Sequence, residues 1–285
     1  RVVLGSEALM SKVRAELLPV LADGSRTAAV ALDGELTGRR DGGSLVVSGT
    51  SATVLGAGLA DVLVLPVADG DGEQWVAVDA ADVTVTPVKS LDPVRRVASV
   101  EVSGVAVAAD RVLDGVTTGR VRDLAAALFG AEAAGLAGWL VTTAAEYAKV
   151  REQFGRPIGQ FQGVKHKAAR SLIALEQARA AAWDAARALD EGAGTAGSPQ
   201  VRFAAAVSAV IALDAGVQTA RDAIQILGGI GFTWEHDAHI YLRRALTLRS
   251  LLGPASEWAA EVAAIALDGG RREVVLELDD DTEPL

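Results

Sequence analysis

Two stretches of this chain carry residue types suited to gripping a phosphate-bearing ligand. The first is Arg151-Glu-Gln-Phe-Gly-Arg-Pro-Ile-Gly-Gln-Phe-Gln162, and the second is Gln225-Ile-Leu-Gly-Gly-Ile-Gly-Phe-Thr-Trp-Glu-His-Asp237. Arg151 offers planar donors that match phosphate oxygens and keep their charge near neutral pH. Gln153 and Phe154 lie beside it. Gln225 adds a side-chain amide, and Gly228 and Gly229 allow close backbone approach without a Cβ in the way. Taken alone, Arg-x-x-Phe-Gly reads as an interhelical turn with a buried aromatic. Its pairing with Gln-x-x-Gly-Gly-x-Gly-Phe favours a ligand site. The glycines follow a helical pattern and not a strand, so this is not the dinucleotide-binding fingerprint.

Three further groups have simpler readings. His236 and His239, flanked by Glu235 and Asp237, have a spacing open to a metal. The pattern fits better two acids capping a helix and two histidines that pack or pair at an interface, and no metal is expected. Arg243, Arg244 and Arg249 make either a patch facing a phosphate or acidic partner, or a solvated helix face. Lys165-His166-Lys167 reads as an exposed turn of a helix.

The elements that must position these residues divide near residue 118. Before it, runs rich in Val and Thr alternate with Asp/Gly turns at Thr27 to Leu32, Ser44 to Ser48, Asp61 to Val67, Gln74 to Val78, Val83 to Val88 and Val97 to Val107. That spacing predicts a small antiparallel sheet or barrel. After it, apolar residues return at three- and four-residue steps. Helices are expected at about 122 to 153, 160 to 191, 199 to 227, 236 to 251 and 255 to 267, an antiparallel bundle with short links. Ser198 supplies a capping hydroxyl before Pro199, and Gly228-Gly229 the positive-φ residue that ends a helix. Gly192 to Gly197 is a turn. Segment 1–22 carries Leu9, Val13, Leu17, Leu18 and Leu21 at helical spacing, and the acidic tail 268–285 is expected to be mobile.

Composition narrows the function classes. The 285 residues can bury a large core in one or two domains. With 27 basic against 37 acidic residues and a net charge of −10, nucleic acid and anionic membranes are excluded as partners. Zero cysteines exclude disulfides and thiolate chemistry. With no signal-peptide pattern and no apolar run judged long enough to span a bilayer, a cytoplasmic protein is expected.

The two motifs, in this order of elements, resemble the acyl-CoA dehydrogenase family. The resemblance implies an α+β fold: a middle β domain (23–117) followed by a C-terminal four-helix bundle (118–267), with 1–22 a remnant of an N-terminal helical domain that is otherwise largely missing. It implies FAD as cofactor, with Arg151, Gln153, Phe154, Gln225, Gly228 and Gly229 reaching its diphosphate end across a subunit interface. Family members remove the proton α to a thioester carbonyl with a glutamate, while hydride leaves the β carbon for the flavin, giving a trans-2-enoyl-CoA.

That glutamate has two known locations in the family, and neither carries a carboxylate here. One precedes a glycine after the second motif, where this chain has Leu252 before Gly253; the other lies about 25 residues before Val150, at Ala125. Asp123 and Glu132 flank the latter. Asp123 reads better as a residue near a helix start, Glu132 as a surface or interface charge, and Glu257 as a first-turn residue. The flavin-ring pocket is also degraded. A Gly-rich loop is shortened to 33–43, Ser48-Gly49 sits at an expected turn, and Thr53 and Leu55 replace a Trp and a Thr.

The resulting expectation is a catalytically silent subunit. A catalytic acyl-CoA dehydrogenase-like partner would supply base and ring pocket in an α2β2 assembly acting on an acyl-CoA, with steroid side chains or other bulky acyl groups accommodated by a vacated pocket. An electron-transfer flavoprotein or similar protein would accept the electrons. Two alternatives stand beside it: a self-sufficient homotetramer using Asp123 or Glu132 as base, and a non-enzymatic scaffold of the same fold.

Overall fold

The computed structural model describes residues 12–70, 72–192, 198–270 and 272. Leu9, the 193–197 part of the expected turn and nearly all of the acidic tail beyond Gly270 lie outside the described residues. Helix α1 (Lys12–Ala22) presses Leu17 against Val62, Val64, Trp75 and Val121.

Strands β1 (Ala28–Val30), β2 (Glu35–Asp41), β3 (Ser44–Leu55), β4 (Val62–Asp69), β5 (Gly72–Asp79), β6 (Thr84–Val88) and β7 (Val97–Ala108) form one seven-stranded sheet. Its order is β1-β4-β2-β3-β7-β6, with β5 paired to β4. Alternation puts Leu36, Val47, Leu63, Leu65 and Val100 into one apolar core. The sheet is mixed, because β1 and β4 run parallel. This corrects the expectation of a purely antiparallel one.

The stretch read as a shortened Gly-rich loop at 33–43 is also corrected: it is strand β2, registered on β3 from Glu35 to Asp41. Its string of charges hides the signal, since Leu36 alone among its seven residues is buried. The hairpin turn falls at Gly42-Gly43, both with positive φ. Ser48-Gly49 is accordingly no turn. It sits at a bulge inside β3, where Gly49 has φ 132° and an added Cβ would come 2.1 Å from the Glu35 carbonyl oxygen.

The helical half consists of α2 (Thr118–Val150), α3 (Gln162–Glu191), α4 (Pro199–Leu227), α5 (Ala238–Leu251) and α6 (Ala255–Leu267). Alanines on α2, α3 and α4 form most of the buried seam, so the helices pack through small side chains. Thr117 caps α2 by accepting from the Arg120 N–H at 3.2 Å. Ser198 makes no such side-chain bond, contrary to expectation; Pro199 at the first helical position instead presets φ. Gly228, at φ 64°, ends α4.

By length and composition α2 and the 199–232 stretch are each apolar enough to cross a membrane, which corrects the judgement that no run reaches that length. Their apolarity serves the bundle: 50% and 67% of those windows are buried within the fold.

Sheet and bundle are joined by charge. Arg244 on α5 pairs with fully buried Asp92, and with Glu132 of α2 at 2.7 Å, while Arg95 takes the other Glu132 oxygen.

Candidate functional site

The antiparallel bundle brings the C-terminal ends of α2 and α4 and the N-terminal ends of α3 and α5 to one pole. Both motifs lie in the links there. Arg151 follows α2, its N–H still bonded to the Tyr147 carbonyl at 2.9 Å. The chain then reverses through a hairpin of β8 (Glu152–Gln153) and β9 (Arg156–Pro157). Phe154 and Gly155 form its tip at φ 54° and 77°, the left-handed pair that suits a two-residue hairpin. A phenylalanine in that region is strained by about 1 kcal/mol or more, and here it gains no burial, being 94% exposed. The reading of a buried aromatic in a plain interhelical turn is thereby corrected.

Behind the tip, Phe161 meets Phe154 edge-on and carries the Arg156 guanidinium 4.2 Å above its ring. Arg151 is exposed, and Gln153 turns its Nε2 to the Glu152 carbonyl.

Gln225 stands exposed on the last turn of α4. Gly228 needs glycine for its φ, but Gly229 does not: its φ is not positive, and nothing lies within 4 Å of the Cβ it lacks. Packing within this chain therefore gives Gly229 no reason to be glycine. Phe232 and Trp234 follow, 70% and 72% exposed. Sequence reasoning passed over both, and over Arg156; the available signal was aromatics inside a glycine-rich link.

The two links are registered by Asp222, buried on α4, which accepts from Arg170 at 2.8 Å, Lys167 at 3.2 Å and Gln218 at 2.9 Å. Burial works to raise its pKa, but the hydrogen bonds from Arg170, Gln218 and Lys167 outweigh it and hold the carboxyl below the ordinary range. Lys167 is thus a tether to α4, not merely part of an exposed turn. The histidines pack as expected, His236 near Trp139 and His239 edge-on to Trp234. His236 Nδ1 accepts the Ala238 N–H at 3.1 Å. The capping assigned to Glu235 and Asp237 is corrected accordingly, since Asp237 makes no side-chain cap bond. Among the described residues no acid/His cluster suits a metal. The arginine trio divides: Arg244 is the sheet–bundle tie, Arg249 pairs with Asp214, and Arg243 lies over Trp234.

Between sheet and α2 lies a cavity of about 190 Å³ lined by Val30, Leu32, Thr53, Leu55, Leu124 and Phe129 among others. Thr53 is the sole polar side chain in that lining. A volume below the roughly 300 Å³ of ordinary ligand pockets, with no set of convergent donors, does not fit a flavin ring.

No carboxylate lines the cavity. Leu252 is buried in the bundle core, its carbonyl taken by Trp258 Nε1 and Arg122 Nη2. Glu132 has one oxygen on Arg244 and the other on Arg95. Asp123 is not a first-turn residue, because Thr117 starts the helix earlier; it is buried one turn further on. Burial pushes its pKa up to about 6, against the opposing charges of Arg202, Arg120 and Arg122. Glu257 does sit in the first turn of α6.

Residues 122–267 match the family described as acyl-CoA dehydrogenase, C-terminal domain. Acyl-CoA dehydrogenase FadE34 of Mycobacterium tuberculosis is 46% identical over 265 residues, which are 92% of this chain and 35% of FadE34. The chain thus spans about a third of that relative. The ChsE4–ChsE5 complex of Mycobacterium tuberculosis is similar at TM-score 0.81 and 27% identity, over 87% of this chain and 68% of the matched one. A Tcur3481–Tcur3483 steroid ACAD is similar at TM-score 0.82 and 27% identity, over 91% and 72%.

Proposed function

The chain belongs to the acyl-CoA dehydrogenase family, and we propose that it acts there as a catalytically silent subunit, completing the FAD site of a catalytic partner. The observation that carries this is the contrast between the two ends of the site. At the pole, Arg151, Phe154, Gln225 and Gly229 are exposed, with Phe154 strained and Gly229 unexplained by packing in this chain. At the ring end, the cavity is small and apolar and no carboxylate lines it.

In this reading Arg151 and Gln225 hold the diphosphate end of the partner's FAD, Gly229 lets the backbone come close, and Phe154 packs against ligand or partner. FAD, when bound, accepts the hydride from the substrate's β carbon. The partner's carboxylate takes the α proton, and the product is a trans-2-enoyl-CoA. Similarity to the ChsE4–ChsE5 complex and to a steroid ACAD supports a hetero-oligomer, proposed as α2β2, and a bulky steroid-derived acyl-CoA as substrate. An electron-transfer flavoprotein or similar protein is the proposed acceptor.

The test is co-expression with a catalytic acyl-CoA dehydrogenase-like chain from the same genome. Flavin retained only in the mixed complex, at about one per two chains, is expected. Arg151→Ala is expected to empty that complex of flavin while both chains stay folded. A yellow, active homo-oligomer, or flavin content untouched by Arg151→Ala, would refute the assignment.

A further inference from the structure

The hairpin between α2 and α3 carries a second cation that the proposed function leaves unused. Cross-strand pairing sets Gln153 opposite Arg156 and Glu152 opposite Pro157, and the Ile158 N–H donates to the Arg151 carbonyl at 2.8 Å. Alternation therefore puts Arg151, Gln153 and Arg156 on one face of the hairpin and Glu152 on the other. Arg151 and Arg156 are diagonal neighbours there, roughly 7–8 Å apart at the backbone, a gap that two long side chains span.

Both guanidinia are exposed, and among the described residues neither joins an ion pair. The chain is not short of carboxylates, having 37 acidic to 27 basic residues, and Arg26, Arg95, Arg170, Arg202, Arg244 and Arg249 all find one. Two like charges left together on one face repel. An anion between them removes that cost, and a diphosphate carries a negative charge on each phosphate, one for each arginine.

Arg156 is also held in a set pose. Its guanidinium carbon lies 4.2 Å from the centroid of the Phe161 ring, and Phe161 meets Phe154 edge-on at the tip. Stacking through the flat face leaves the in-plane N–H groups free, and these are the donors that match phosphate oxygens in pairs. A freely moving exposed arginine would lose rotamer freedom on binding; the Phe161 platform takes part of that loss beforehand.

We propose that Arg156, stacked on Phe161, is the second cation of the diphosphate site and closes on the same diphosphate as Arg151. The proposal rests on the reading that this pole meets the partner's FAD.

The test is FAD titration of the flavin-free mixed complex, followed by flavin fluorescence at low and high salt, with the mass of the complex measured alongside. Arg156→Met is expected to raise the Kd for FAD about tenfold or more, the worth of a charge-assisted hydrogen bond. It should also flatten the salt dependence of that Kd, while the mass of the complex is unchanged. Arg156→Lys, which keeps the charge without the planar fork, should recover part of the affinity. Phe161→Leu should raise the Kd about two- to fivefold, the worth of an exposed cation–π contact. The proposal is overturned, with the silent-subunit reading intact, if Arg156→Met leaves Kd and salt dependence unchanged while Arg151→Ala weakens binding. It is overturned as well if Arg156→Met loses flavin only to the extent that the two chains separate. If neither arginine affects FAD binding, that reading falls and the proposal falls with it.

Discussion

Asp123→Asn should stabilise this protein, by an amount that depends on pH. The carboxyl is 7% exposed in the second turn of α2. Burial moves its pKa from 3.8 to about 6 despite Arg202, Arg120 and Arg122. That difference corresponds to about 3 kcal/mol. The folded state holds the proton more tightly than the unfolded chain, so the contribution to stability is full below pH 3.8 and lost as pH rises through about 6. Asparagine resembles the neutral acid at every pH. Linkage then predicts an advantage for the variant near zero at pH 3, about 1.6 kcal/mol at pH 5 and about 3 kcal/mol at pH 7.5. Urea unfolding of both proteins at those pH values, followed by helical circular dichroism, measures it. A wild type more stable than the variant at pH 7.5, or a gap that shrinks as pH rises, would show that the arginines outweigh burial and that the reasoning is wrong.

Other perturbations separate structure from ligand contact. Gly228→Ala, at φ 64°, should lower stability by about 1–2 kcal/mol, whereas Gly229→Val, with open space around it, should leave the melting temperature unchanged and abolish flavin retention in the mixed complex. Asp222→Ala leaves Arg170 and Lys167 without their carboxylate; both are partly exposed, so water limits the cost to about 1–3 kcal/mol. Because the Asp222 pKa is lowered, that cost should be present above the ordinary carboxylate range and fade on acidification. Arg244→Met strands fully buried Asp92, and a loss of about 3–5 kcal/mol in equilibrium unfolding is expected.

The helical half was legible from the chain because alanine-rich periodicity spans several turns and because Pro199 and Gly228 mark their ends locally. The match extended to α4 and α6, whose ranges agree with expectation. Strand β2 was not legible. Its residues face solvent apart from Leu36, and only pairing with β3 makes Glu35–Asp41 a strand. The Gly49 bulge was hidden for a related reason: its need for glycine comes from the Glu35 carbonyl, distant in sequence.

At the site, residue type marked Arg151, Gln225 and the glycine pair as suited to phosphate oxygens, which favour a fixed cation and a backbone free of Cβ, and the family resemblance supplied the cofactor end they would meet. The family resemblance marked Leu252 and Ala125 as the positions where a carboxylate is lacking. Tertiary structure alone decided what the remaining carboxylates do. Glu132 is held between two arginines that come from other elements, and Asp123 is buried by an earlier helix start. Whether an aromatic is buried or offered outward is likewise a property of its surroundings. Phe154 and Trp234 face solvent because the bundle core closes beneath them, and no local pattern records where a core ends.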